Sequence, residues 1–248
     1  MLAIFKREFK SYFTTPIGYI FLAIYAIFLG AEFVEYYSYA ASDIVSVIKS
    51  MVLISVFAVP IITMRIMSDD KRQKVDQALL TAPVKLTSIV LGKFLAALAV
   101  YALGFAVTLI YEIILAASAS ISILPYIYIM IGTILLGGAL IAVGMFISSL
   151  TESAAIAAII NIGVNFFGIN LSYYASNWTA PTGDNWLSKA WAWIVTLIKD
   201  FINEIDFINA YSSFGENLFS LVDIIYFLSI IGFFLFMCVR SLEKRRWS

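Results

Sequence analysis

The sequence predicts an all-α membrane protein with six transmembrane helices. The prediction follows from the amino-acid composition and from the pattern of hydropathy along the chain. The chain of 248 residues is 62% hydrophobic and 13% charged, with a mean hydropathy of +0.95, whereas soluble domains are about half apolar and about a quarter charged. One soluble core cannot hold this apolar surplus, so the bilayer must solvate much of it. Six stretches reach the ~20 apolar residues that a spanning helix needs. They lie at about residues 17–37, 47–67, 89–115, 124–149, 153–174 and 219–239.

Apolar and basic side chains alternate at helical spacing in residues 1–15. The apolar positions are Leu2, Phe5, Phe9 and Phe13, and the basic positions are Lys6, Arg7 and Lys10. This pattern predicts an amphipathic helix lying in the headgroup region, with a frayed tail as the alternative. The same charges argue against a cleavable signal peptide. Pro16 favours the start of the first span. Proline has no backbone N–H, and the first residues of a helix have no intrahelical acceptor for theirs.

The basic residues predict the orientation of the chain. An inside N-terminus places thirteen of the sixteen Lys and Arg residues on the cytoplasmic side. They are Lys6, Arg7, Lys10, Arg65, Lys71, Arg72, Lys74, Lys85, Lys93, Arg240, Lys244, Arg245 and Arg246. Lys49, Lys189 and Lys199 fall outside. Because Lys and Arg accumulate in cytoplasmic loops, both termini are predicted to be cytoplasmic.

Two segments lie between predicted spans. The inside loop 68–88 is charged at its start and apolar further on. The outside segment 175–218 has an apolar helical period and four tryptophans suited to the membrane–water boundary. It is predicted to form one or two amphipathic helices against the outer leaflet. A seventh span is the alternative, and the four charges between residues 199 and 206 argue against it.

The residue content excludes several chemistries. The chain has no histidine and one cysteine, Cys238, so His-dependent triads, His metal sites, intrachain disulfides and Cys metal clusters are not expected. Gly92 and Lys93 are followed by Phe94, with no glycine five positions before Gly92, so no Walker A loop is present. We therefore expect no catalytic residue, cofactor or metal in this chain. Nucleic-acid binding is not expected either, because the basic residues lie where topology requires them.

The most informative stretch is the loop that starts after the second span. Asp69, Asp70, Lys71, Arg72 and Lys74 form a compact charged group. A short apolar stripe with Val75, Ala78 and Leu79 follows, and Pro83 would end any helix there. This pattern predicts a short amphipathic helix at the cytoplasmic surface that could dock into a groove on a soluble partner. A solvated loop whose charges merely satisfy topology is equally consistent with the residues.

This loop and a later turn resemble a known family. The chain reads Asp69–Asp70–Lys71–Arg72, then Leu79–Leu80–Thr81–Ala82–Pro83–Val84, then Val90–Leu91–Gly92–Lys93, and GMFISSLTESAAIAA at 144–158. These stretches resemble the cytoplasmic loop and a short inner turn of ABC type-2 transporter permeases. The order of elements is similar along essentially the whole chain, and it looks closest to gliding-motility-type and sodium-efflux-type permeases. The chain departs at Lys74 and Gln77, where many relatives have glycine and glutamate.

The resemblance implies an exporter subunit that spans a prokaryotic cell membrane and has no ATPase site of its own. ATP and Mg would be bound by separate ABC ATPase subunits, and a second permease chain, identical or different, would complete the assembly. The ATPase-coupling loop would comprise Asp69, Asp70, Lys71, Arg72, Lys74, Leu79, Leu80 and Pro83. The substrate cannot be inferred.

Polar residues in and near the later spans suggest further roles. Ser149 and Glu152 fit a capping box at the start of span 5. Asn161 and Asn165 lie one turn apart in span 5, and Glu112 lies near the outer end of span 3. These three are candidates for a transport pathway or a subunit interface, because polar groups in spans seek partners. Ordinary interhelical packing for the asparagines and a solvated rim for Glu112 are the alternatives.

Small residues in two spans predict close helix packing. They are Gly132, Gly137, Gly138 and Gly144 in span 4, and Ala154, Ala158, Gly163 and Gly168 in span 5.

Three other classes of protein remain open. An ion-coupled secondary carrier often shows inverted repeats and broken helices, but the chain has no convincing repeat, and Pro60 is the only proline deep within a predicted span. A non-transporting membrane anchor or signalling partner of an ATPase would share the same loop. An intramembrane enzyme would need a converging set of nucleophile, base or metal ligands, which the sequence does not offer.

Overall fold

The structure is a computed structural model that describes residues 1–38, 44–72, 85–116, 123–178, 185–215 and 220–246. All regular secondary structure in these ranges is helical, which confirms the all-α prediction. The helices are α1 (Leu2–Thr14), α2 (Pro16–Ser38), α3 (Ile44–Thr63), α4 (Ser68–Arg72), α5 (Leu86–Phe105), α6 (Val107–Ala116), α7 (Ile123–Leu150), α8 (Ala154–Ile169), α9 (Leu171–Ser176), α10 (Trp186–Ile205), α11 (Phe207–Gly215) and α12 (Leu221–Arg246).

Five helical runs within the described ranges are long and apolar enough to cross a membrane. They are Pro16–Glu35, Val45–Arg72, Leu86–Tyr111, Leu124–Leu150 and Leu221–Arg245. Each coincides with a predicted span, and α2 begins at Pro16 as expected. The remaining predicted span, 153–174, contains α8, which is apolar but 16 residues long, and α9 beyond Asn170. The chain is therefore a multi-pass helical membrane protein.

Helix α7 lies at the centre of the bundle and packs against α3, α5, α8, α11 and α12. Its glycines make this possible because neighbouring side chains occupy the space that a Cβ would fill. Gly137 faces the ring of Tyr101, and Gly132 faces Phe214 at 2.7 Å from the Cβ position. The predicted close packing of span 4 is therefore confirmed at these positions.

A cluster of aromatic side chains joins α2, α3 and α5. Tyr25 and Tyr101 are fully buried, with ring centroids 5.9 Å apart. Their hydroxyls both reach Ser55 of α3, at 2.7 Å from Tyr25 and 3.2 Å from Tyr101. Phenols are tolerated in an apolar core when their hydroxyls find partners, so Ser55 lets these three helices share an aromatic core.

The predicted capping box is wrong. Helix α7 continues to Leu150, and the Ser149 hydroxyl donates to the Phe146 carbonyl of its own helix at 2.7 Å. Helix α8 is capped instead by Ser153, whose Oγ accepts from the Ile156 N–H at 3.5 Å. The reason is that the preceding helix extends through Ser149, which leaves that residue no helix start to cap.

The segment 175–218 contains helices α10 and α11 among its described residues. Helix α10 is not among the runs apolar enough to cross a membrane, and its Trp186, Trp191 and Trp193 are exposed. Helix α11 packs on α7, where the Tyr211 hydroxyl lies 3.0 Å from Thr133 Oγ1. The described residues of this segment therefore contain two helices and no run that is long and apolar enough to cross a membrane.

Candidate functional site

A buried lysine is the centre of the candidate site. Lys93 lies in the second turn of α5, and its side chain is 1% exposed. Its Nζ lies 2.7 Å from Asp70 Oδ2, 3.4 Å from Glu8 Oε1, and donates to the Ile66 carbonyl at 2.6 Å. A buried ammonium is costly unless it is paired and hydrogen-bonded. The Nζ atom of Lys93 therefore contacts α1, α4 and the turn between α3 and α4.

Further charged side chains surround this lysine and define a cluster shared by α1, α4 and α5. Arg7 contacts Glu8 at 2.5 Å within α1. Asp69 lies 3.6 Å from Arg65 and 3.5 Å from Arg72. We call these residues, with Lys93 and Asp70, the charged cluster, and they line a cavity of about 430 Å³. Within the described ranges, no three Asp, Glu or Cys side chains are grouped to hold a metal ion.

Helix α1 is held by a second polar contact and a close backbone approach. The Tyr12 hydroxyl donates to the Ile62 carbonyl near the end of α3 at 2.9 Å. Burial, with a smaller contribution from the Glu8 charge, raises the pKa of the Tyr12 phenol, so the group stays a donor at neutral pH. A Cβ on Gly92 would lie 3.1 Å from Ile4 of α1. Helix α1 is thus docked against α3 and α5.

The last turn of α7 and the turn that follows it also contact α4. Ser148 Oγ accepts from the N–H groups of Met67, at 3.2 Å, and Ser68, at 3.1 Å, and donates to the Met64 carbonyl at 3.0 Å. Lys71 Nζ lies 3.4 Å from the Glu152 carboxylate. Position 148 therefore satisfies backbone groups that the end of α3 would leave unpaired, and α4 is fixed from two sides.

The C-terminal helix reaches the same end of the bundle. Arg245 of α12 donates through Nη2 to the Ser149 carbonyl at the end of α7. The described parts of the three loop-and-turn motifs, at 69–72, 90–93 and 144–158, therefore meet at one end of the molecule. Their convergence is a property of the fold that their separation in the sequence does not reveal.

The residues of the predicted coupling loop divide into two groups. Asp69, Asp70, Lys71 and Arg72 form helix α4 with Ser68, and each of these four makes an ion pair. Lys74, Leu79, Leu80 and Pro83 lie outside the described residues, as does most of the predicted amphipathic helix. The backbone of Glu112 belongs to α6, but its side chain is outside the described set.

The two asparagines of α8 point into the bundle. Asn161 and Asn165 are each 1% exposed. Asn161 Nδ2 donates to Thr63 Oγ1 of α3 at 2.9 Å, next to Gly144 of α7. Asn161 Oδ1 and both polar atoms of Asn165 have no hydrogen-bond partner among the described residues. This face of α8 is packed against α3 and α7 within the chain.

The opposite face of α8 is open. Ile159 and Phe167 are exposed, and nothing lies within 4 Å of a Cβ placed on Gly163. Gly168 has an ordinary contact, 3.4 Å, with Phe207. The predicted close approach at Gly163 therefore does not occur within this chain, because that residue faces away from the other helices.

Sequence reasoning did not identify Glu8, Ser148 or the central role of Lys93. The sequence places Lys93 among the cytoplasmic-side charges and in the Val90–Lys93 motif, but neither observation predicts that its side chain is buried and paired. An ionisable residue within a spanning helix is a functional candidate by default, and this signal was available. Glu8 and Ser148 offer no comparable signal, because their roles depend on tertiary docking.

The fold and the charged cluster together define a helical multi-pass membrane protein in which α4 is held by Lys93 of α5 and by the end of α7 with the turn after it. No model of a known protein family matches the chain, and no curated protein matches it. The functional assignment accordingly depends on the geometry above and on the resemblance of the loop motifs.

Proposed function

We propose that this chain is the membrane-spanning permease subunit of an ATP-driven ABC exporter, moving an unidentified substrate with energy from a separate ATPase subunit. The observation that carries the proposal is the anchoring of α4. The loop that resembles the family's coupling element begins at α4. Helix α4 is joined to Lys93 of α5, through that lysine to Glu8 of α1, and to the end of α7 and the turn that follows it. A force on residues 69–84 from a partner would reach all of these elements together.

The burial of Lys93 makes this connection stiff. Separating Asp70 from Lys93 would leave a buried charge with reduced compensation, and breaking such pairs costs about 3–5 kcal/mol. Movement of α4 as one body with the start of α5 is therefore favoured over movement of α4 alone. The chain has two discrete arrangements of its helices, and a partner shifts the equilibrium between them. The ATPase subunit binds ATP and Mg and hydrolyses the ATP.

The proposed topology has six crossings with both termini cytoplasmic. The start of α2, the ends of α3 and α7, the start of α8 and the end of α12 lie near the charged cluster. Helix α12 must therefore begin at the far end, and the chain must cross before it. Helices α8 and α9 supply that crossing. The 16 residues of α8 rise about 24 Å at 1.5 Å per residue, and α9 continues beyond the break at Asn170.

The remaining elements follow from this topology. Helix α1 lies in the cytoplasmic headgroup layer, and α10 with α11 lies on the outer side. Two permease chains, identical or different, assemble with two ATPase subunits in a prokaryotic cell membrane. Asn161, Asn165 and Glu112 remain candidates for the pathway or for contacts that change during transport.

Co-purification with an ATPase subunit encoded beside this chain tests the coupling role. Changing Arg72→Glu and Lys74→Glu together should abolish complex formation and ATPase stimulation, because both charges are expected to face the partner. The matched control is Arg240→Glu with Lys244→Glu, two exposed basic residues of α12 outside the loop. The control should leave both properties unchanged. Survival of the complex and of full stimulation in the loop variant would show that the coupling role is wrong.

Cysteine labelling tests the topology separately. In a Cys238→Ala background, Gln73→Cys should resist a membrane-impermeant thiol reagent in intact cells and react once the cells are opened. A cysteine at Trp178, which is exposed at the opposite end of α8 and α9, should react in intact cells. Labelling of position 73 from outside would reject the proposed orientation.

A further inference from the structure

An apolar groove opens beside the N-terminal half of α1. The residues that line it are Leu2 and Phe5 of α1, Leu95, Leu98, Ala99 and Ala102 of α5, and Ile134 of α7. Its volume is about 460 Å³, and every side chain that lines it is apolar. It is separate from the cavity of the charged cluster, which lies on the opposite side of α1 around Glu8 and Tyr12.

The groove runs from α1 toward the middle of the membrane. Its floor on α5 extends from Leu95 to Ala102, which corresponds to about 10 Å along the helix axis. One leaflet of the hydrocarbon core is about 15 Å thick, half of about 30 Å. The groove therefore extends over about two-thirds of the depth of one leaflet, and its apolar lining fits one acyl chain.

Two exposed lysines follow the groove-lining residue Leu2 along α1. Lys6 is one helical turn beyond Leu2, and Lys10 is one turn beyond Lys6. Both are exposed, and within the described part of the chain neither makes an ion pair. Arg7, by contrast, pairs with Glu8. Two free lysines in the headgroup layer favour an anionic phosphate over a zwitterionic headgroup.

We propose that the groove is a binding site for an anionic phospholipid, with one acyl chain between α1, α5 and α7 and its phosphate against Lys6 and Lys10. The inference rests on the proposed placement of α1 in the headgroup layer and not on ATP-driven transport. Because α1 also carries Glu8 and Tyr12, the bound lipid would help to hold α1 against the charged cluster.

Native mass spectrometry of the full chain, after removal of co-purified lipid, tests the site with dioleoyl phosphatidylglycerol and dioleoyl phosphatidylcholine. The wild-type chain should retain phosphatidylglycerol in preference to phosphatidylcholine. Filling the groove with Ala99→Phe and Ala102→Phe should lower retention of phosphatidylglycerol several-fold. The control Leu103→Phe adds a ring to a residue of α5 that is 41% exposed and outside the groove, and it should bind like wild type.

A second variant leaves the packing untouched. Lys6→Gln with Lys10→Gln should weaken phosphatidylglycerol binding on the order of tenfold while leaving phosphatidylcholine binding unchanged. Equal binding of the two lipids by the wild-type chain, or an unchanged preference in the lysine variant, would overturn the proposal. If the Ala99→Phe and Ala102→Phe variant does not fold, the Lys6→Gln and Lys10→Gln variant alone tests the proposal. Loss of the lipid preference with intact ATPase co-purification, or the reverse, separates this site from the coupling role.

Discussion

The charged cluster and the asparagine face of α8 are both polar regions buried in an apolar protein, but they are completed differently. In the cluster, the Lys93 ammonium has three oxygen partners drawn from α1, α4 and the end of α3. On α8, Asn165 has no hydrogen-bond partner for either polar atom, and Asn161 has a partner for its Nδ2 but not for its Oδ1. The Lys93 ammonium has a full set of polar partners, whereas the asparagine side chains lack hydrogen-bond partners for three of their four polar atoms.

The difference follows from the cost of leaving each group unpaired. An uncompensated buried charge costs several kcal/mol, so the fold must supply partners for Lys93. A neutral amide without partners costs about 1–3 kcal/mol, which a bundle of this size can tolerate. The cluster therefore fixes helices relative to one another, whereas the asparagine face is where α8 could change partners at low cost.

Removing the Asp70 carboxylate should have the largest effect on the stability of the protein. Asp70→Ala should destabilise the protein by about 3 kcal/mol, because Lys93 keeps only the more distant Glu8 as a counter-charge. Thermal unfolding in detergent measures the loss. Adding Lys93→Met to Asp70→Ala should recover most of the stability, since no buried charge then remains. Strictly additive losses in the double variant would show that the two groups do not depend on each other.

A smaller loss is expected where α7 meets the asparagine face. Gly144→Ala should cost about 2 kcal/mol, because the new methyl group would overlap Thr63 and Asn161. The same unfolding measurement should show no loss for Gly163→Ala, where nothing lies within 4 Å of the added atom. Equal effects of the two substitutions would mean that helix propensity, and not interhelical packing, decides stability at these glycines.

The smallest expected effect is an increase in the stability of the protein. Asn165→Leu should stabilise the protein by about 1 kcal/mol, because it replaces a buried amide that has no partner with an apolar group of similar size. Asn170→Leu is the comparison, because the Nδ2 of Asn170 already donates to the Phe166 carbonyl at 2.8 Å, and it should bring no gain. A clear loss of stability in Asn165→Leu would contradict the view that this face is incomplete.

The helices could be predicted from the sequence because hydropathy and proline placement are local signals. The amphipathic helix at 1–15, the start of α2 at Pro16 and five spanning runs all agree with the structure. The break at Asn170, where φ is −102° and ψ is 14°, was not predicted, since the apolar pattern continues through it. Hydropathy reports which residues avoid water but not where a helix bends.

The site was less accessible to prediction for two physical reasons. Glu8, Asp70 and Lys93 lie far apart in the sequence, and only the docking of α1 brings their charges together. Ser148, Ser149, Thr151 and Ser153 all have hydroxyls that could cap a helix, and which one does so depends on where α7 ends. Both outcomes are set by tertiary packing, which sequence spacing alone does not encode.

The contacts of α1 also constrain the order in which the protein can be assembled. A ribosome makes Glu8 and Tyr12 before Ile62 and Lys93, the residues that receive them. Helix α1 can therefore reach its docked position only after α5 has been synthesised. Its docking is thus separated from its own synthesis by at least 80 residues of chain, from Tyr12 to Lys93.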